Sequence, residues 1–128
     1  MAVTHSTVMR NVFCDAVTTA LGTSPKLAFR LSGTVGSPGA VAATLTMSAT
    51  PFPAASGGSM TANSIASDTN ATGDASPVAT ATLQTSGGTV VVHCGVAASG
   101  SDINMTGGLT IGAGDTVSCS SLVYTAAP

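Results

Sequence analysis

The period of the apolar residues changes once along this chain, at Gly22, and the change limits what each part can become. From Thr7 to Leu21 they fall at Val8, Met9, Val12, Phe13, Ala16, Val17, Ala20 and Leu21, the i, i+1, i+4, i+5 spacing of one helical face. Ser6 or Thr7 can cap the start, Gly22 closes the end and Pro25 stands shortly beyond, so a helix over 7–21 is expected. Arg10, Asn11, Asp15, Thr18 and Thr19 lie off the stripe, which makes the helix amphipathic. A face carrying Val8, Val12, Phe13 and Val17 is too apolar to be left in water. It either covers the domain's own sheet or docks on a neighbour.

After Gly22 the period becomes two. Leu27, Phe29 and Leu31 alternate with Ala28 and Arg30, and Val41, Ala43, Leu45 and Met47 alternate with Ala42, Thr44 and Thr46, the pattern of half-buried strands. Further strands are predicted at Ser59–Asn63, Val78–Gln84, Thr89–Val96, Ile103–Met105, Leu109–Ile111 and Thr116–Thr125. Gly33, Ser37-Pro38-Gly39, Pro51 to Gly58, Ser86-Gly87-Gly88 and Gly112 to Asp115 supply turns, and Thr85 to Gly88 reads as a hairpin. About seven to nine short strands with frequent turns indicate a mainly β fold, an antiparallel β-sandwich or jelly roll with one N-terminal helix. The expected organisation is a single domain over 1–128, with the sandwich in 26–128. A long loop around 51–77 would carry at most one short strand, and such a loop is a usual place for contacts.

Composition decides between a folded domain and a linker. The 15 glycines and the many Ser and Thr resemble a linker, but mean hydropathy is +0.47 and net charge only −2, the opposite of a disordered chain. Only 6% of the residues are charged, against about a quarter in an ordinary domain, and none is Glu. The surface is therefore a neutral mosaic of Ala, Thr, Ser and Gly, suited to packing against copies of itself or a larger partner. Arg10, Lys26 and Arg30 are too few to neutralise a phosphate backbone, so nucleic acid is not an expected partner. No apolar run approaches a membrane span and no basic segment precedes an apolar leader, so assembly in a cytoplasm is expected.

The inventory for catalysis is thin. His93 and Cys94 are neighbours on one strand and point to opposite faces, so they cannot form a dyad. A Cys14–His93 pair would need the helix to lie over the outer face of that strand. No enzyme activity, cofactor or metal is expected. Cys94 shares a face with Val90, Val92 and Val96, and Cys119 with Val117 and Val123, so both read as inward thiols, as does Cys14 beside Phe13. The sharper alternative for Cys94 and Cys119 is a disulfide formed once the protein leaves a reducing compartment. Asp68, Asp74, Asp102 and Asp115 stand in turn contexts, where Asp bonds its own backbone, and are too sparse for a calcium loop.

Thr7-Val8-Met9-Arg10-Asn11, Asp15-Ala16-Val17 and Ala20-Leu21-Gly22 resemble the opening of a group of small tailed-bacteriophage proteins. The similarity continues through Thr50-Pro51-Phe52, Thr61 to Asp68, Gly100 to Asn104, Gly114 to Ser118 and Ser121-Leu122, with Cys14, Cys94 and Cys119 outside the shared pattern. The resemblance implies a virion structural protein, with jelly-roll capsid cement (decoration) proteins as the nearest functional analogy. It implies the major capsid protein as partner, self-association into an oligomer such as a dimer, and a place on the capsid surface. A tail-, collar- or fibre-associated virion protein is the alternative. A displayed carbohydrate-binding module is another, although the lack of Trp and the single Tyr leave little to stack on sugar rings.

Overall fold

Ser6 and Gly22 bracket the helix as their side-chain chemistry dictates. In the computed structural model, which describes residues 3–128, Ser6 Oγ accepts from the Met9 N–H at 3.2 Å and the Gly22 N–H reaches Thr18 O at 3.2 Å, so α1 runs Thr7–Leu21. The strands that follow are β1 (Lys26–Arg30), β2 (Val41–Met47), β3 (Ser59–Thr61), β4 (Ile65–Ala66), β5 (Thr80–Gln84), β6 (Val90–Ala97), β7 (Ile103–Asn104) and β8 (Val123–Thr125). They form a six-stranded sheet in the order β4-β2-β1-β5-β6-β7 and a two-stranded sheet, β3-β8. The fold is mainly β and sandwich-like, as the period-two pattern requires.

The inner face of the large sheet carries Leu27 and Phe29 from β1, Leu45 and Met47 from β2, and Ala81 and Leu83 from β5, all buried. They share one core with Phe52, Met60, Val78, Ile111, Val117 and Ala126 from the second layer and with Cys14 and Leu21 from α1. Each such Leu or Val contributes roughly 1.5–3 kcal/mol when fully buried. With so few aromatics, Phe29 and Phe52 are the large wedges. Phe52 anchors the 51–58 segment from inside.

Several expectations need correcting. β1 is buried on both faces rather than one, as is β5 beside it, because Arg30 folds along the outer face: Nε donates to Thr82 Oγ1 at 3.0 Å, Nη2 to Gln84 Oε1 at 2.8 Å and Nη1 to Gly39 O at 2.6 Å. The sheet is not wholly antiparallel. β7 runs parallel to β6, pairing Val96 with Ile103 and Ala97 with Asn104. A parallel pair ordinarily needs a crossover of about a dozen residues. Here Asp102 Oδ2 accepts from Gly95 N–H at 2.9 Å and Asn104 Oδ1 from Ser101 N–H at 3.0 Å, folding the short 98–102 link back on β6.

Val90 also leaves the stripe it was expected to share with Cys94. A register shift beside Leu83/Gln84 sets Val90 opposite Gln84, whose side chain is on the outer face with Arg30, while Val91 and Val92 pack against the core.

The 51–77 segment carries two short strands, β3 and β4, where at most one was expected. Leu109–Ile111 forms no strand, and of Thr116–Thr125 only β8 is regular. Their backbone groups instead bond singly to the 68–78 stretch: Val78 N–H to Leu109 O, Asp74 N–H to Ile111 O, Ala71 N–H to Asp115 O, and Asp68 reciprocally with Val117. The two segments approach closely at Gly73, which has φ +69° and where a Cβ would stand 2.4 Å from Ala113 N. Only glycine fits there.

Candidate functional site

Polar side chains fasten α1 to the body alongside the buried Cys14 and Leu21. Arg10 Nη2 donates to Ala126 O at 3.0 Å, with Nε 3.4 Å from the same oxygen. Asn11 Oδ1 accepts from Gly58 N–H at 2.8 Å, Asp15 Oδ1 from Ala55 N–H at 3.0 Å, and Cys14 Sγ donates to Gly58 O at 3.5 Å. Thr18 Oγ1 lies 3.3 Å from Met60 Sδ. The guanidinium of Arg10 stacks on Gly58 so closely that a Cβ there would come within 2.7 Å of Cζ.

This reverses part of the expected amphipathic pattern. Arg10, Asn11, Asp15 and Thr18, set off the stripe, reach the protein, whereas Val8 is 75% exposed, Val12 51% and Met9 42%. Phe13 and Val17 pack half-buried against the core, and Leu21 is buried, so the expected docking face is split between core and solvent. The physical cause is the backbone beneath the helix. Irregular segments at 55–58 and 126 present N–H and C=O groups that an apolar face would leave unpaired, and an unpaired buried polar group costs about 1–3 kcal/mol. Arg10, Asn11 and Asp15 pair them. What remains outward is a strip of Val8, Met9, Val12, Ala16 and Ala20, bordered by the exposed Asp15 and Thr19.

The other carboxylates are spent in the same way. Asp68 accepts from Thr44 N–H and Asn70 N–H, both at 3.0 Å, Asp74 from Ser76 N–H at 2.8 Å, and Asp115 from Gly112 N–H at 2.8 Å. With Asp102 on Gly95 and Asp15 on Ala55, every Asp of the chain holds a backbone amide. The turn role expected for four of them extends to tertiary fastening, since Asp15, Asp68 and Asp102 reach across elements.

A second feature is a groove between the large sheet's β6-β7 side and the segment leading into β8. Two adjoining hollows, of about 480 Å³ and about 340 Å³, share Asp102, Ile103, Leu122 and Val123. Phe29, Ile111 and Val117 line the first, and Val92, Cys94 and Tyr124 the second. No periodicity marks this groove, because its walls come from segments far apart in the chain.

The thiols are all free. Cys94 donates to Ala81 O at 3.5 Å and Cys119 to Ser121 O at 3.4 Å, so the alternative of a Cys94–Cys119 bridge is not formed here. Burial, reinforced by the nearby charge of Asp102, pushes the Cys94 thiol up to about 11, and burial raises Cys119 as well. Neither thiol is an activated nucleophile. Cys14 is committed to Gly58 O, and among the described residues no hydrogen bond joins it to His93. His93 stands opposite Thr82, with Nε2 buried and without a hydrogen-bond partner among the described residues. His5 lies edge-on to Phe13, centroids 5.0 Å apart, with Nδ1 3.0 Å from Pro128 O.

Among the described residues no group of three or more His, Cys or Asp side chains could hold a metal ion, and no helix is long and apolar enough to cross a membrane. Comparison with protein-family models, curated proteins and solved structures gives no match.

Proposed function

We propose that this chain is a structural virion protein of a tailed bacteriophage, a capsid cement (decoration) protein that binds the outer shell and stabilises it. The outward strip of Val8, Met9 and Val12 carries the reading: the helix is held by its polar residues and keeps an apolar face free for a neighbour. An exposed apolar strip of this kind marks an interaction surface. Sparse charge points the same way, because with only 6% of its residues charged the chain has little charge to desolvate on meeting a lattice. Major capsid protein is the partner, and copies of the chain associate with one another on the shell. Such a protein stabilises by mass action, since it binds the assembled lattice and not its dissociated parts.

Virions that lack the protein are expected to release DNA at lower temperature than intact ones, and equal heat resistance defeats the cement reading. Replacing both exposed valines, Val8→Asp with Val12→Asp, is expected to abolish binding to depleted particles while thermal unfolding of the isolated chain stays close to that of the parent. Copy number separates the capsid from the tail, collar or fibre: hundreds per particle support the shell, tens the tail.

A further inference from the structure

The groove beside β8 has the geometry of a strand vacancy. In the β3-β8 ladder, Ala62 N–H donates to Leu122 O and Ala126 N–H to Gly58 O. Alternation along an antiparallel pair then gives Tyr124 the bonded position opposite Met60 and turns the N–H and C=O of Val123 and Thr125 away from β3. Val123 and Thr125 line the hollow that β6 and β7 wall on the other side. β7 is itself the last strand of the large sheet. Two open strand edges thus border one trough, in which the half-buried Val92, Ile103 and Leu122 form an apolar patch within a largely polar lining.

We propose that this trough accepts an extended polypeptide segment as an added strand on β8. The segment has apolar side chains at alternate positions, directed to that patch, and a lysine or arginine that meets Asp102 and Asp115. Main-chain bonds to Val123 and Thr125 supply affinity, and the alternate side chains supply selectivity. The charge assignment follows from the walls. Asp102 and Asp115 line the trough, no Lys or Arg does, and in each carboxylate only Oδ2 is engaged by a backbone amide, leaving Oδ1 without a protein partner among the described residues. A second copy of this chain does not fit that chemistry. Its Arg10 and Arg30 are bound within their own fold and Lys26 begins the central strand β1. The segment comes from a different protein, the shell protein, and in that respect the inference rests on the assembly reading above.

Amide hydrogen exchange on the full chain tests the trough without any particle. The probe is a peptide of sequence Thr-Val-Lys-Val-Thr with blocked ends, and its partner carries Glu in place of Lys. In the free chain Val123 and Thr125 are expected to exchange fast and Tyr124 slowly. The lysine peptide at millimolar concentration is expected to slow Val123 and Thr125 by about tenfold while Tyr124 changes little, and the glutamate peptide is expected to do less. Slow exchange of Val123 and Thr125 without peptide, or no slowing by either peptide, overturns the site. Equal slowing by both overturns the charge assignment.

Val123→Pro gives the particle arm, because it removes an N–H that β3 does not use while leaving the β3-β8 bonds in place. If the parent chain binds depleted virions and a folded Val123→Pro chain binds about tenfold more weakly, the added strand is supported. If both bind alike, the added strand fails and the cement reading survives. If the parent chain itself does not bind virions, the cement reading fails, and the peptide exchange still decides the trough.

Discussion

Arg10→Ala and Val12→Ala form a paired test of how the helix is docked. Arg10 donates to Ala126 O through Nη2 at 3.0 Å and lies on Gly58. A hydrogen bond from a charged donor contributes about 1.5–3 kcal/mol, so its loss should cost about 2 kcal/mol. Val12 is 51% exposed, and truncating it removes two methyl groups that are only half buried, about 0.8 kcal/mol. Alanine's better helix propensity returns about 0.5 kcal/mol of that, so Val12→Ala should be nearly neutral. For a chain of this length about 3–5 °C of Tm corresponds to 1 kcal/mol, so Arg10→Ala should unfold about 8 °C lower and Val12→Ala within about 2 °C of the parent. Circular dichroism melts, with urea titrations to check that the slope is unchanged, provide the readout. The apolar stripe taken alone demands the reverse order, with a buried Val12 costing roughly 2 kcal/mol and Arg10 almost nothing. Finding Val12→Ala the more damaging change would refute the docking mode described here.

Other consequences follow from the same contacts. Gly73→Ala forces a Cβ to 2.4 Å from Ala113 N at φ +69° and should cost about 3 kcal/mol by urea unfolding. Gly22→Ala, at φ +73° and ψ −151° with nothing within 4 Å, should cost about 2 kcal/mol through backbone strain alone. Asp68→Ala releases the Thr44 and Asn70 amides and should lose about 2 kcal/mol, whereas Asp74→Ala, which breaks only a local turn bond to Ser76, should lose under about 0.5 kcal/mol. Folding holds the proton of Cys94 up to about pH 11 against 9.0 for an ordinary thiol. Its contribution to stability is therefore complete below about pH 9 and lost as the pH rises toward 11, with Cys119 acting in the same direction. A Cys94→Ala chain should show a shallower loss of stability across that interval, and an unchanged slope would rule out the thiol as its source.

Local chemistry in the sequence was enough to specify several of the elements. The i, i+4 spacing with Ser6 and Gly22 at its ends settles the helix over 7–21, the alternation from Val41 to Met47 settles β2, and Thr85 to Gly88 closes the β5-β6 hairpin. Each depends on dihedral preference and side-chain period within a few residues, and those act before any long-range contact forms. The faces were a different matter. Period identifies an apolar side of a helix but not whether anything covers it, and α1 is oriented by hydrogen bonds from Arg10, Asn11 and Asp15 to backbone groups at 126, 58 and 55. The same limit hid the parallel β6-β7 pair, the register shift that moves Val90, and the reduction of the 109–117 stretch to single bonds with the 68–78 stretch.

The trough was equally invisible in the sequence, because Val123, Ile103 and Phe29 meet only when β8, β7 and β1 are brought together. Scarcity of charge was legible from composition, but its meaning was not. Only the folded chain shows each Asp holding a backbone amide, and it does so because short irregular segments, unlike a complete second sheet, leave N–H groups that side chains must satisfy.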